Sequence, residues 1–199
     1  MAPQDGEAAV DIILASGSPR RRELLSQMGL TYRVVVSDAD EAVDSALSPS
    51  DQVSLISRRK ADAVAEQVGV DPLVIAADTI VSLDGKVMGK PHSRDEAVQM
   101  LSTLQGKTHQ VYTGLTLQHG SRIVTETECT SVTFRPMTGN EIAAYVASGE
   151  PMDKAGAYGI QGLGGMFVAG IHGDYFNVMG LPICRLGIVL KTFGVEVMG

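Results

Sequence analysis

Apolar and polar positions along this chain change period several times, and the changes divide it into elements. Residues 11–15 (DIILA) are a short apolar run that reads as a strand. Ser18 and Pro19 then supply an N-cap and a first helical position, and Gly29 closes the helix they begin. Residues 32–36 (YRVVV) predict a second strand, followed by an acidic loop, SDADEAVD, and a helix over 49–68 capped by Ser48. Residues 73–83 (LVIAADTIVSL) are almost continuously apolar and β-branched, the pattern of a strand buried on both faces. Asp84-Gly85 predicts a two-residue hairpin turn into KVMGKP. Ser93 with Glu96 marks a helix to about residue 104, two Thr- and Val-rich strands cover 108–118 and 122–134, and Thr138 with Glu141 caps a helix ending near Gly149. A glycine-rich irregular loop, a strand over 166–171 and a last helix over 177–192 complete the order. Hairpins mixed with crossover connections predict an α/β fold with a mixed parallel and antiparallel sheet flanked by helices, without a doubly wound pattern.

Certain polar residues interrupt this pattern. Asp78 stands inside the apolar run 73–83, where a carboxylate costs several kcal/mol unless it is paired, hydrogen-bonded or bound to a metal. It is either a satisfied core aspartate or part of a site. Lys60 shares a helical face with Val53, Ile56, Ala63, Val64 and Gln67, so it either snorkels to the edge of that stripe or serves a buried anion. Counting outward from the Asp84-Gly85 turn sets Lys90 opposite Thr79, beside Asp78; the other reading is an exposed lysine ending an edge strand. Arg20, Arg21 and Arg22 follow Pro19 at a helix start, where the backbone is already partly positive. Arg21 shares a face with Leu25 and Met28, which predicts a stem lying over core, and Arg22 reads as solvated. Asp38, Asp40 and Glu41 are either hard ligands for Mg²⁺ or Mn²⁺ beside a phosphate or a solvated acidic loop.

Composition narrows the choice of partner. The 199 residues suffice for a full core in one domain, expected over 12–199 after an N-terminal extension over 1–11. A net charge of -7 argues against a nucleic-acid or anionic-membrane surface, so any anion site must be local. Cys129 and Cys184 form no CxxC pair and the four histidines show no metal-binding spacing. The acidic opening lacks an apolar leader core, and long apolar stretches are broken by charge or glycine. These features predict a cytoplasmic protein with free thiols. A helix start, several cations and a carboxylate able to hold a divalent ion and activate water together describe phosphoanhydride hydrolysis, with Asp78 as the base.

LASGSPRRRELL, DADE, RRKADAVA, ADTIV with GKP, LQGKTHQVYTG, TSVTFRP, YVASGEPMDKAGAYGIQG and GDYFNVMGLP together resemble the Maf family of nucleoside triphosphate pyrophosphatases, from about residue 12 to 185. The resemblance implies a fold related to the inosine triphosphate pyrophosphatases, with two lobes about a cleft, and a frequent homodimer. It implies metal-dependent conversion of a nucleoside triphosphate to the monophosphate and pyrophosphate, with Mg²⁺ or Mn²⁺ as cofactor, in a house-cleaning or septum-formation role. By position it implies Asp78 as proton acceptor, Ser16, Arg20, Lys60 and Lys90 as phosphate-site residues, and Glu41 with Asp78 at the metal. Arg20, Thr79 and Gln161 match the positions that mark the subgroup acting on dTTP and UTP. Two other readings carry different expectations. LASGSPRR is also similar to the opening of sugar nucleotidyltransferases, which require a second, sugar-phosphate substrate, and a regulator would bind nucleotides without hydrolysing them.

Overall fold

The computed structural model describes residues 10–198, so most of the extension expected over 1–11 lies outside the described residues. The chain runs β1 (Ile12–Leu14), α1 (Pro19–Gln27), β2 (Arg33–Val34), α2 (Pro49–Val68), β3 (Leu73–Leu83), β4 (Lys86–Met88) and α3 (Arg94–Leu104). It continues through β5 (Thr108–His119), β6 (Arg122–Phe134), α4 (Gly139–Ala147), β7 (Val168–His172), α5 (Tyr175–Met179) and α6 (Ile183–Thr192). One mixed sheet has the order β2-β1-β3-β5-β6-β7, with β4 also on β3. The β1 pairings to β2 and β3 are parallel and the others are antiparallel.

The arrangement around β3 makes the cleft. β5 occupies one edge of β3 from Val74 to Ser82, so β1 and β4 must share the other. β1 pairs with Leu73–Ile75 and β4 with Val81–Leu83. Among the described residues, no strand lies beside 76–80 on that edge. The core divides at the same place. Leu73, Ile75 and Ala77 pack with α1 and α6, whereas Val81 and Leu83 pack with α3 and α4. Two lobes thus stand on one sheet face, with the middle of β3, unpaired on that edge, between them.

The opposite face is covered by α2. Val74 and Ala76 meet Ala61 and Val64 there, so the alternation of the strand aims Asp78 toward α2 and Thr79 toward α1. Gly114, directly across from Asp78 on β5, allows the close approach of this helix. A Cβ at Gly114 would lie 2.2 Å from the Val53 carbonyl oxygen. Hydroxyl contacts extend the seam, Ser57 to Thr116 at 2.9 Å and Ser54 to Thr127 at 2.7 Å. The buried face of α2 comprises Gln52, Val53, Ile56, Ser57, Lys60, Ala61 and Val64. It therefore omits Ala63 and Gln67 from the expected stripe and adds Gln52, Ser57 and Ala61, because the Ser57–Thr116 contact turns that side of the helix to the sheet.

Local signals explain most boundaries. Ser48 and Ser93 accept hydrogen bonds from the backbone N–H of Asp51 and Glu96, and Thr138 with Glu141 forms a complete capping box. Glu96 reaches one residue further back than a capping box requires, accepting from His92 N–H at 2.7 Å. Asp84 and Gly85 make the expected turn, both with positive φ. The expected helix 177–192 is instead α5 and α6. Gly180, at φ +110°, ends the first and Pro182 starts the second. The strand expected over 32–36 shortens to two exposed residues, and that expected over 166–171 becomes Val168–His172, preceded by a 3₁₀ turn over Leu163–Phe167. Two further 3₁₀ turns, Glu150–Asp153 and Ala155–Ala157, occupy the approach to the glycine-rich loop. No helix among the described residues is long and apolar enough to cross a membrane.

His109 on β5 is fully buried in the second lobe. Its Nε2 lies 2.8 Å from the Tyr158 hydroxyl, and its ring meets Phe134 and Tyr158 edge to face. Burial pushes its pKa down to about 4 from an ordinary value near 6.5. As pH falls through that window the unfolded chain takes up a proton that the folded one refuses, so the folded state loses up to about 3 kcal/mol. Urea unfolding at about pH 7 and about pH 4.5 should show a smaller acid loss in His109→Phe than in the unaltered chain; equal losses would contradict this account.

Candidate active site

The gap beside β3 opens into a cavity of about 700 Å³. Ser16, Arg20, Glu41, Lys60, Asp78, Thr79, Lys90 and Gln161, all singled out in the sequence, line it. Five cationic side chains (Arg20, Arg21, Lys60, Lys90 and Lys154) face three carboxylates (Glu41, Asp78 and Asp153). An excess of positive charge in one cavity of a chain with net charge -7 makes this a local anion site.

Lys60 and Asp78 form its floor. Each is about nine-tenths buried, and the Lys60 ammonium donates to Asp78 Oδ1 at 2.7 Å. The same Nζ lies 2.8 Å from Glu41 Oε1, which descends from the exposed loop after β2. One ammonium therefore bridges two carboxylates from segments 37 residues apart in the chain. Partial burial acts to raise the pKa of Glu41, but the hydrogen bond and charge of Lys60, with Lys90 and Arg21 nearby, hold it below the ordinary carboxylate range. Lys90 lies past the last ladder pair, Val81 with Met88, as an exposed residue facing Glu41 across the cavity.

The start of α1 forms one wall. Ser18 makes no side-chain capping bond, and no acidic residue stands in the first turn, so the first N–H groups of the helix remain open to an anion. Arg21, expected to lay its stem over core, carries its guanidinium into the cavity. Its Nε donates to the Gly180 carbonyl at 2.8 Å, Nη1 to Ser16 Oγ at 3.1 Å and Nη2 to Thr79 Oγ1 at 3.1 Å. Burial lowers its pKa, opposed by the charge of Asp78. The helical position aims Arg21 along the side of Leu25, as read, but that side also borders the gap beside β3. Arg22, as expected, stays exposed and donates to the Gly17 carbonyl.

The opposite wall is the segment 150–164. Arg20 meets Asp153 at 3.3 Å, and Gln161 Nε2 meets both carboxylate oxygens of Glu23 at 3.0 Å. Glu150 holds this segment in place. Its carboxylate accepts from Tyr145 hydroxyl at 2.8 Å and from the backbone N–H of Leu163 and Gly164 at 2.8 and 3.0 Å. Glu23, Asp153 and Glu150 carry no signal in the sequence, and Arg21 is read there only as one of three cations at a helix start, its stem over core. Their contacts cross the cleft or close a loop, and neither hydrophobic period nor capping pattern reports such pairs.

Asp38 and Asp40 do not join Glu41 at the floor. Asp40 accepts from Ala42 N–H within its own loop, and Asp38 meets Gln67 at 3.5 Å. Among the described residues, no group of three or more His, Cys, Asp or Glu could hold a metal ion. Among the described residues, Glu41 and Asp78 bring two hard oxygen donors together at the Lys60 ammonium. That set fits Mg²⁺ or Mn²⁺ of the kind completed by substrate phosphates.

The Maf-like protein family matches residues 11–193. A dTTP/UTP pyrophosphatase of Bacillus cereus is 50% identical over 194 residues, covering 98% of this chain and 95% of that protein. A Bacillus anthracis protein of the same name is 51% identical over 186 residues, covering 94% and 97%. A solved structure of the Staphylococcus aureus Ham1 protein aligns with a TM-score of 0.47 at 16% identity, over 62% of this chain and 71% of that chain.

Removing Lys60 leaves two carboxylates without their shared cation. Lys60→Met should destabilise the fold by roughly 3 kcal/mol, and adding Asp78→Leu should recover much of the loss. Denaturant unfolding of the single and double variants measures both effects; a single variant as stable as the parent would contradict the pairing.

Proposed function

This chain belongs to the Maf family, and from that membership we propose that it hydrolyses dTTP and UTP, including base-modified forms, to the nucleoside monophosphate and pyrophosphate. The observation that carries the proposal is the Lys60 ammonium bridging Asp78 and Glu41 on the floor of a cleft with an excess of cations. A cavity of about 700 Å³ is within the range of ligand pockets and accommodates a nucleotide.

The triphosphate lies along the open start of α1. Ser16, Arg20, Lys60 and Lys90 receive its oxygens, and Arg21 reinforces that wall from its bonds to Ser16 and Thr79. Arg20 gives up Asp153 to do so. That exposed pair contributes no more than about 1 kcal/mol, so exchange for a phosphate is easy. Glu41 and Asp78 would hold a divalent ion, Mg²⁺ or Mn²⁺, which when bound would supply positive charge beside the phosphate oxygens.

Asp78 takes the proton of the attacking water. Lys60 engages its Oδ1, which leaves Oδ2 to accept that proton. Water attacks the α-phosphorus, the bond from that phosphorus to the bridging oxygen breaks, and pyrophosphate departs toward the cationic wall. Thr79 and Gln161 line the same cavity, and we place the pyrimidine against them. Free Cys129 and Cys184 support a reducing, cytoplasmic setting.

Incubation with each common nucleoside triphosphate and Mg²⁺ or Mn²⁺ tests the proposal by product identity. UTP and dTTP should give monophosphate and pyrophosphate; nucleoside diphosphate with phosphate would overturn it. Asp78→Asn should keep the fold and lower turnover by about 10² to 10⁴. An unchanged rate would transfer the role of base to another residue.

A further inference from the structure

The proposed function sets Gln161 against the pyrimidine, and an amide can present either a donor or an acceptor to a base. Which one it presents is decided by Glu23. A carboxylate only accepts, so the Glu23 oxygens, both 3.0 Å from Gln161 Nε2, fix the nitrogen end of the amide on α1. With Nε2 so held, the carbonyl Oε1 is the end of the amide not committed to Glu23, and Gln161 lines the cavity.

We propose that Glu23 is a specificity-determining residue, acting through Gln161 to select pyrimidines that carry a proton on N3. Uracil and thymine have an N3–H that donates to a carbonyl oxygen. Cytosine has an unprotonated N3 that instead opposes it, lone pair against lone pair. Glu23 touches no reacting atom; it positions the residue that reads the base. This inference rests on the proposed hydrolysis of UTP and dTTP and adds the means by which CTP is refused.

The test compares kcat/KM for UTP, CTP and N3-methyl-UTP in the unaltered chain and in Glu23→Ala, Glu23→Gln and Glu23→Lys. Glu23 and Gln161 are exposed, so the variants leave the core intact. The unaltered chain should prefer UTP over both other nucleotides. Glu23→Ala should lower the UTP-to-CTP ratio about tenfold, the loss of one oriented hydrogen bond. Glu23→Gln, whose carbonyl still accepts, should retain part of the preference. Glu23→Lys, which donates to Oε1 and turns Nε2 toward the base, should lower the ratio further than alanine. An unchanged ratio in Glu23→Ala and Glu23→Lys overturns this inference and leaves the proposed function standing. Failure of the unaltered chain to release UMP and pyrophosphate from UTP overturns the proposed function, and this inference with it.

Discussion

The ion pair of Lys60 and Asp78 is the constraint around which the rest of the molecule is arranged. Two charged groups about nine-tenths removed from water cost several kcal/mol in desolvation, and their attraction repays that only with good geometry. At 2.7 Å the geometry is good, yet a pair of well-packed apolar residues would stabilise the fold as well or better. The pair is accounted for by the chemistry that it prepares. An ionised carboxylate stands beside a cation in a cleft that gathers more positive charge than it can balance.

The pair exists because a sheet has been left incomplete. β1 and β4 approach the same edge of β3 from opposite ends and stop short of one another. Strand alternation then sends Asp78 to the α2 face and Thr79 to the α1 face, and the open edge lets both reach one cavity. Gly114 brings α2 near enough for Lys60 to meet Asp78, and the Ser57–Thr116 bond fixes its rotation. An uninterrupted sheet edge would separate the acid on one face from the arginine on the other.

Much of this was legible in the chain because its signals are local. The caps at Ser48, Ser93 and Thr138, the Asp84-Gly85 turn and the apolar run of β3 each act over a few residues. Asp78 and Lys60 declared themselves by the expense of charge in an apolar pattern. Arg21 did not, since a long side chain along the Leu25 side of α1 looks the same whether it covers core or borders a cleft. The Arg20–Asp153 and Glu23–Gln161 contacts join residues more than 130 positions apart, beyond any periodic signal. The break between α5 and α6 was marked by Gly180 and Pro182, and the apolar pattern running through it concealed the mark.

The central claim is that Asp78 directs water at the phosphorus next to the nucleoside. Hydrolysis of UTP in ¹⁸O-labelled water, with mass analysis of both products, tests it most directly. The account predicts label in UMP and none in pyrophosphate. Label in pyrophosphate would place the attack on the neighbouring phosphorus and contradict the role assigned to this carboxylate.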